Sequence, residues 1–272
     1  VNHPKRLKSP MIKKNGEFQE VEWKEALNFV SEKLLDYRKQ SSVFAAMASA
    51  KSTNEENYIL QKFTRTVMNT NNIDHCARLC HAASVTGLSK TIGSGAMTNS
   101  INEIPDTDCV FAIGTNTTST HPIIGMKIQR ALVNGASLIV ANPMEIELCK
   151  NADIFLQHKP GTDVALLMGM IRVIFDDELL DIDFIKDRCD NFIEFKKSLE
   201  KYNLDWVEII TGVSKSKIIE AAHIYAKAGS ASILYSMGIT QHVNGTDNVM
   251  ALSNLALITG NIGKTSSGIN PL

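Results

Sequence analysis

The stretch DHCARLCHAASVTG, from Asp74 to Gly87, places His75, Cys76, Cys80 and His81 within seven residues. Thiol and imidazole this close raise the question of metal chemistry. A structural zinc site usually spreads its ligands over two separated pairs. Here all four crowd one short segment, which cannot easily surround an ion tetrahedrally. A single thiolate beside a single histidine is the easier arrangement. The soft sulfur of Cys80 suits a heavy transition metal, and His81 next to it suits proton acceptance. Arg78 is expected to help keep a thiolate ionised. Cys76 and Cys80, four apart, would share a face on a helix.

Three other stretches have ligand-binding chemistry. In Gly114-Thr115-Asn116-Thr117-Thr118-Ser119-Thr120-His121-Pro122, hydroxyls and an amide follow a strand end and precede a helix start. Such a turn aims N–H and O–H groups at one spot, and a helix N-terminus favours an anion there. The three spaced glycines of the dinucleotide fingerprint are absent, and an ordinary polar loop remains an alternative. In His158-Lys159-Pro160-Gly161-Thr162-Asp163, Asp163 either caps its helix or accepts paired N–H bonds from a guanine edge. In Tyr235-Ser236-Met237-Gly238-Ile239-Thr240-Gln241, a glycine follows a strand end, which is either a plain turn or the rim of a ligand crevice.

The elements that must carry these loops alternate. Strands are expected at Asp108–Ile113, Ala136–Ala141, Ile154–Gln157 and Ala231–Ser236. Helices are expected from Pro122 to near Gly135, over Asp163–Phe175, through Asp183–Ala228 and over Asn248–Thr259. This rhythm predicts an α/β fold with a Rossmann-like, mostly parallel sheet and helices on both faces. Loops after the strands ending near residues 114, 141 and 236 would then share one crevice. Upstream, Phe18–Trp23 alternates like a strand and Trp23–Gln40 carries a helical stripe at Ala26, Leu27, Val30, Leu34 and Leu35. Ser42–Met47 reads as a buried strand. Thr53 with Glu56 is a capping box opening a helix to about Met68. Asn69-Thr70-Asn71-Asn72 interrupts the periodicity and marks a boundary.

Composition narrows the function classes. The chain has 272 residues, 44% of them hydrophobic and 21% charged, and a net charge of −1. That balance gives no electrostatic case for nucleic acid or an anionic membrane, and no apolar run is long enough to span a bilayer. Five cysteines, an odd number at this length, fit a reducing compartment better than a disulfide framework. Cys109, Cys149 and Cys189 read as packing residues. The chain begins at Val1 rather than Met, so an internal segment of a longer chain is expected.

Taken in series, several motifs resemble the catalytic subunit of molybdenum or tungsten formate dehydrogenases. They are Thr53–Tyr58, Asn71–His81, Gly93-Ser94-Gly95-Ala96-Met97-Thr98-Asn99-Ser100, Gly161–Asp163, Met237–Gln241 and Leu257-Ile258-Thr259-Gly260-Asn261-Ile262-Gly263. The resemblance covers nearly the whole chain and points to the formate dehydrogenase branch of the bis(molybdopterin guanine dinucleotide) oxidoreductases. It implies that Cys80 ligates the metal and that His81 takes the proton as formate becomes CO2. It also implies that Gly114, Asn116, Thr118, Ser119, Asn142, Pro143, Gly161, Asp163, Met237, Gly238 and Gln241 grip a guanylated pterin. The implied cofactors are molybdenum or tungsten bis(molybdopterin guanine dinucleotide) and a 4Fe-4S cluster bound in an earlier segment of the chain. The implied partners are formate, an electron-acceptor subunit or domain and the remaining domains of the same chain, with no nucleic acid and no direct membrane insertion. A cytoplasmic location is expected. Residues 1–75 would form part of a discontinuous α/β domain, and residues 76–272 a molybdopterin guanine dinucleotide-binding domain.

Two positions depart from the family pattern. Asn142-Pro143-Met144 stands where Asp-Pro-Arg is common, removing a carboxylate and a guanidinium. Ala83 stands where a proline is usual. The positioning arginine for formate and the four-cysteine cluster motif would lie in other segments. Two further readings stay open from sequence: a non-catalytic nucleotide-binding module, and a family member with another substrate, such as a nitrate reductase. The histidine after Cys80 argues against the latter.

Overall fold

The computed structural model describes residues 2–39 and 43–272. By contact the chain divides into two units, Val1–Arg78 and Leu79–Leu272.

The first unit begins with an antiparallel hairpin, β1 (Met11–Lys14) and β2 (Glu17–Glu20). The alternation expected to Trp23 stops at Glu20, because Trp23 already opens the helix α1 (Trp23–Arg38). The expected end of that helix, Gln40, lies outside the described residues. The apolar stripe of α1 is real but buries no residue. Leu27, Val30, Leu34 and Leu35 instead line an open groove with Phe63, Val67 and Met68. β3 (Ala46–Ala48) is shorter and more exposed than expected, with Met47 75% exposed. Ser42, where that strand was expected to start, is outside the described residues. The capping box of Thr53 and Glu56 forms in both directions and opens α2 (Asn54–Lys62). A π-helical turn, Phe63–Val67, carries the rod on to Met68. β4 (Ile73–His75) then pairs parallel to β3. The chain passes into the second unit within a single helical turn, α3 (Ala77–Cys80).

The second unit opens with α4 (Ala82–Ile92). The sheet strands follow as β5 (Cys109–Ile113), β6 (Ser137–Ala141) and β7 (Ile154–Leu156), then β8 (Ala231–Tyr235) and β9 (Gly268–Pro271). All five are parallel, in the order β7-β6-β5-β8-β9. The final strand was not expected from sequence. Gly268 and Pro271 hide it, and it is built by its neighbours: Ile269 exchanges bonds with Thr98, and Asn99 reaches the Lys264 carbonyl. The small-residue loop Gly93–Ser100 therefore fastens a strand at the edge of the sheet.

Between the strands run α5 (Thr117–Thr120) and α6 (Pro122–Val133), then α7 (Asp163–Asp176), α8 (Ile182–Arg188) and α9 (Phe192–Ser198). They are followed by α10 (Leu204–Thr211), α11 (Lys215–Lys227), α12 (Met237–Thr240) and α13 (Gly245–Ile258). Every residue of β5 and β8 is buried, as expected for a parallel sheet covered on both faces. The period of two splits each strand between two cores. Cys109, Phe111, Ile113, Ile139, Ile233 and Tyr235 face one core, with α7, α11 and α13. Val110, Ala112, Leu138, Val140 and Leu234 face the other, with α6. Cys109 lies in the first core; Cys149 and Cys189 pack against the two cores while partly buried.

Two buried acids link this core to pH. Burial, with the nearby charges of Asp153 and Asp108, pushes the Cys109 thiol up to about 12. Burial pushes the Tyr235 phenol up to about 12, opposed in part by its bond to Ser84. The unfolded chain releases these protons from about pH 8.5 and 10, so above those values the folded state holds more protons and stability falls as pH rises. The melting temperature should therefore drop steeply between about pH 9 and 12, and Cys109→Ala should flatten the lower part of the fall. A melting temperature that is level to about pH 11 would contradict this.

Candidate functional site

The strand order reverses between β5 and β8: β6 and β7 lie to one side of β5, β8 and β9 to the other. Open α/β sheets bind ligands at such a switch point, beyond the carboxyl ends of the strands. The two loops leaving β5 and β8 cross there at backbone contact. Gly238 N donates to Gly114 O at 3.0 Å. A Cβ on Gly238 would meet Gly114 O at 2.6 Å, and one on Gly114, whose φ is +57°, would meet Gly238 C at 2.9 Å. Only a glycine pair fits this crossing.

Around it opens a cleft of about 260 Å3, lined by Gly114, Thr115, Asn116, Asn142, Pro143, Pro160, Asp163, Gly238 and His242. Loops from the ends of β5, β6, β7 and β8 all contribute: the three strand ends expected to share a crevice, and the β7 loop that carries Asp163. Of the predicted residues, Gly114, Asn116, Asn142, Pro143, Asp163 and Gly238 meet here. Thr118 and Ser119 are exposed on α5 and do not line the cleft, because the turn after Asn116 is already helical and carries them outward. Gly161, Met237 and Gln241 are also exposed and outside it. Thr115, Pro160 and His242 line the cleft and were not among the predicted residues. His242 Nε2 lies 2.9 Å from the Gly238 carbonyl.

The cleft is polar in a particular way. Among the described residues, the buried side-chain atoms with no partner in the protein include Thr115 Oγ1, Asn116 Oδ1 and Asp163 Oδ2, on residues that line the cleft, and Thr117 Oγ1, which does not. Buried polar atoms are normally satisfied, so this group in one loop cluster fits a polar ligand. Asp163 does not cap α7: that end has no side-chain cap bond. Its Oδ1 is bonded to His158 Nε2 at 2.9 Å.

The sulfur site is held from the same side. Immediately past the crossing, Thr240 Oγ1 donates to the Cys80 carbonyl and Gln241 Nε2 to the Leu79 carbonyl. Cys80 is half-buried. Cys76 is not its partner on a helix face. Only Ala77–Cys80 is helical, and the Cys76 sulfur accepts the Ala50 N–H at 3.1 Å. Arg78, expected to favour a Cys80 thiolate, is instead paired with Asp74, Nε to Oδ2 at 3.0 Å. The His75 N–H and the Arg78 guanidinium hold the Asp74 carboxyl below its usual range.

His81 sits in an ordered chain of bonds. Nε2 lies 2.9 Å from the Leu272 carbonyl, an acceptor, which assigns the hydrogen to Nε2. Nδ1 then accepts from Ser84 Oγ at 3.0 Å, and Ser84 accepts from the buried Tyr235 O–H at 2.9 Å. Neither Ser84 nor Tyr235 was picked out from sequence, since a serine in a helix and a tyrosine in a strand carry no spacing signal. Tyr235→Phe should lower stability by about 1 kcal/mol, the worth of a buried hydrogen bond, and shift the nitrogen-15 resonance of His81 Nδ1. An unmoved resonance would show that the chain does not reach the imidazole.

Comparison with known proteins gives the family. The molybdopterin oxidoreductase family model matches residues 6–272. The chain belongs to the molybdopterin oxidoreductase family. Within the family, it is 48% identical over its full length to the F420-dependent formate dehydrogenase 1 subunit alpha of Methanococcus maripaludis, covering 40% of that protein. It is 50% identical to the F420-dependent formate dehydrogenase subunit alpha of Methanocaldococcus jannaschii, again over the full chain and 40% of the relative. It is 44% identical to formate dehydrogenase H of Escherichia coli over 98% of this chain and 38% of that protein. The chain thus spans about 40% of the length of the first two of these curated relatives. Among solved structures, the acetylene hydratase of Pelobacter acetylenicus superposes with a TM-score of 0.81 at 26% identity, covering 96% of this chain and 36% of that one.

The residues present fit a molybdopterin-type group. The orphaned atoms of the cleft suit a polar nucleotide end, and Cys80 offers one soft donor. Among the described residues no three His, Cys, Asp or Glu side chains cluster as a metal cage, so a metal at Cys80 would draw its other ligands from the cofactor. No helix of the described residues is long and apolar enough to cross a membrane.

Proposed function

We propose that this chain is the sulfur-bearing, nucleotide-gripping part of a formate dehydrogenase catalytic subunit. The cofactor is molybdenum or tungsten bis(molybdopterin guanine dinucleotide), and the reaction is the oxidation of formate to CO2. Residues 1–75 belong to a discontinuous α/β domain and residues 76–272 form the dinucleotide-binding domain. The observation that carries this reading is the junction at the β8 end: Gly238 closes the cleft while Thr240 and Gln241, two and three residues on, hold the Cys80 turn. Nucleotide grip and thiolate position are thereby coupled through one short segment.

When bound, the metal–dithiolene centre supplies the two-electron acceptor. The chain's own residues do the rest. The Cys80 thiolate is a soft ligand to the metal. The His81 imidazole receives the proton of formate, and Ser84, which can accept as well as donate, keeps Nδ1 bonded in either charge state. Asp163, Asn116 and Thr115 orient the guanine nucleotide, with Asn142, Pro143 and the backbone at Gly114 and Gly238 closing around it. Thr118, Ser119, Gly161, Met237 and Gln241 act at its margins or through the loops. A 4Fe-4S cluster held elsewhere in the whole protein would supply the electron path to an acceptor subunit or domain. The names of the methanococcal relatives point to F420 as the acceptor's chemistry. The enzyme is cytoplasmic.

The test is made on the whole subunit carrying this segment. It should contain molybdenum or tungsten, yield two equivalents of GMP per metal on acid hydrolysis, and reduce an artificial acceptor with formate. A metal-replete protein without guanine, or one inert to formate, would overturn the reading.

A further inference from the structure

His158 stands out among the groups the proposed reaction does not use. It follows β7, is 2% exposed, and bonds the equally buried Asp163. A buried histidine on an apolar face is ordinary when it is satisfied by the backbone. Here Nδ1 lies a long 3.4 Å from the Leu156 carbonyl, whereas Nε2 lies 2.9 Å from Asp163 Oδ1. Asp163 in turn is the first residue of α7, where a carboxylate could bond free amides of the first turn. It makes no such bond, and its Oδ2 is buried without a partner while the residue lines the cleft.

We propose that His158 is a positioning residue for base recognition: its imidazole N–H holds Asp163 Oδ1, so that Oδ2 is presented to the purine edge of a bound guanine nucleotide. This rests on the reading of the cleft as a guanine site. A carboxylate whose rotamer is fixed in advance loses less entropy on binding. Oδ2 would accept the 2-amino N–H of guanine, and Oδ1, which keeps a second lone pair beside its bond to His158, the N1–H. Hypoxanthine keeps N1–H and lacks the 2-amino group, so the ratio of guanine to hypoxanthine affinity reports how well Oδ2 is aimed. His158 touches no ligand and acts through Asp163.

The experiment uses the whole subunit produced without pterin cofactor, titrated calorimetrically with GDP and with IDP. Asp163→Asn marks which class of nucleotide site belongs to this cleft. In the wild type that class should prefer GDP by about 10-fold, the worth of one hydrogen bond. His158→Phe should erase most of that preference and change IDP affinity less than about 2-fold, while His158→Gln, which keeps an N–H donor, should retain it. A wild type with no GDP preference overturns the guanine reading and this inference with it. A GDP-preferring wild type whose preference survives in His158→Phe overturns this inference alone, as does an equal weakening of both nucleotides, which marks a structural role. Should His158→Phe not fold, the nitrogen-15 resonance of His158 Nε2 decides in the wild type: it should move more on saturation with GDP than with IDP, and equal or absent movement refutes the proposal.

Discussion

Replacing Cys80 with alanine in the whole subunit should cut formate oxidation by about 10³-fold or more, about 4 kcal/mol at 1.36 kcal/mol per factor of ten. The protein should fold as before. Cys80 is half-buried, and its turn is held through backbone carbonyls by Thr240 and Gln241, which alanine leaves in place. Guanine content should stay close to that of the wild type, because the cleft residues are untouched. Serine should rescue poorly, since a hard alkoxide does not replace a soft thiolate. Formate-dependent dye reduction and GMP analysis on the same preparation check the result. Turnover within about 10-fold of the wild type would remove Cys80 from the chemistry.

Gly238→Ala should be the most damaging small substitution at the site. The added methyl meets the Gly114 carbonyl oxygen at 2.6 Å and its Cα at 2.7 Å. Both obstacles are backbone, joined to adjacent strands in fixed register, so no side chain can turn aside. Overpacking of this kind costs about 1–3 kcal/mol, which for a domain of this size lowers the melting temperature by roughly 2–12 °C. The same methyl displaces the wall of the cleft and pulls on the segment that holds Cys80. Guanine retention and formate activity should therefore fall together. Thermal melts with and without cofactor, beside GMP analysis, read both effects; a variant that melts normally and keeps its full guanine content would show that the loop crossing is not tight.

Much of the fold could be read from the chain. Apolar runs such as Cys109–Ile113 and Ser137–Ala141 are strands because their period of two serves two cores at once, and Pro122 and the Thr53–Glu56 box mark helix starts by chemistry local to a few residues. β9 and the short, exposed β3 were harder. β9 owes its existence to bonds from Thr98 and to β8, and no local pattern records a partner more than 150 residues away.

The candidate site divides the same way. Residue types and their order determined that Cys80 and His81 stand side by side, that a hydroxyl-rich turn follows Gly114, and that Asp163 opens a helix. Covalent neighbourhood and turn chemistry suffice for that. Only the tertiary structure decided that Thr118 and Ser119 face outward, that His158 holds Asp163, and that Tyr235 reaches His81 through Ser84. Those pairings depend on which helix turn faces the cleft and which strand ends lie side by side, and both follow from packing and strand order rather than from any residue's own preference.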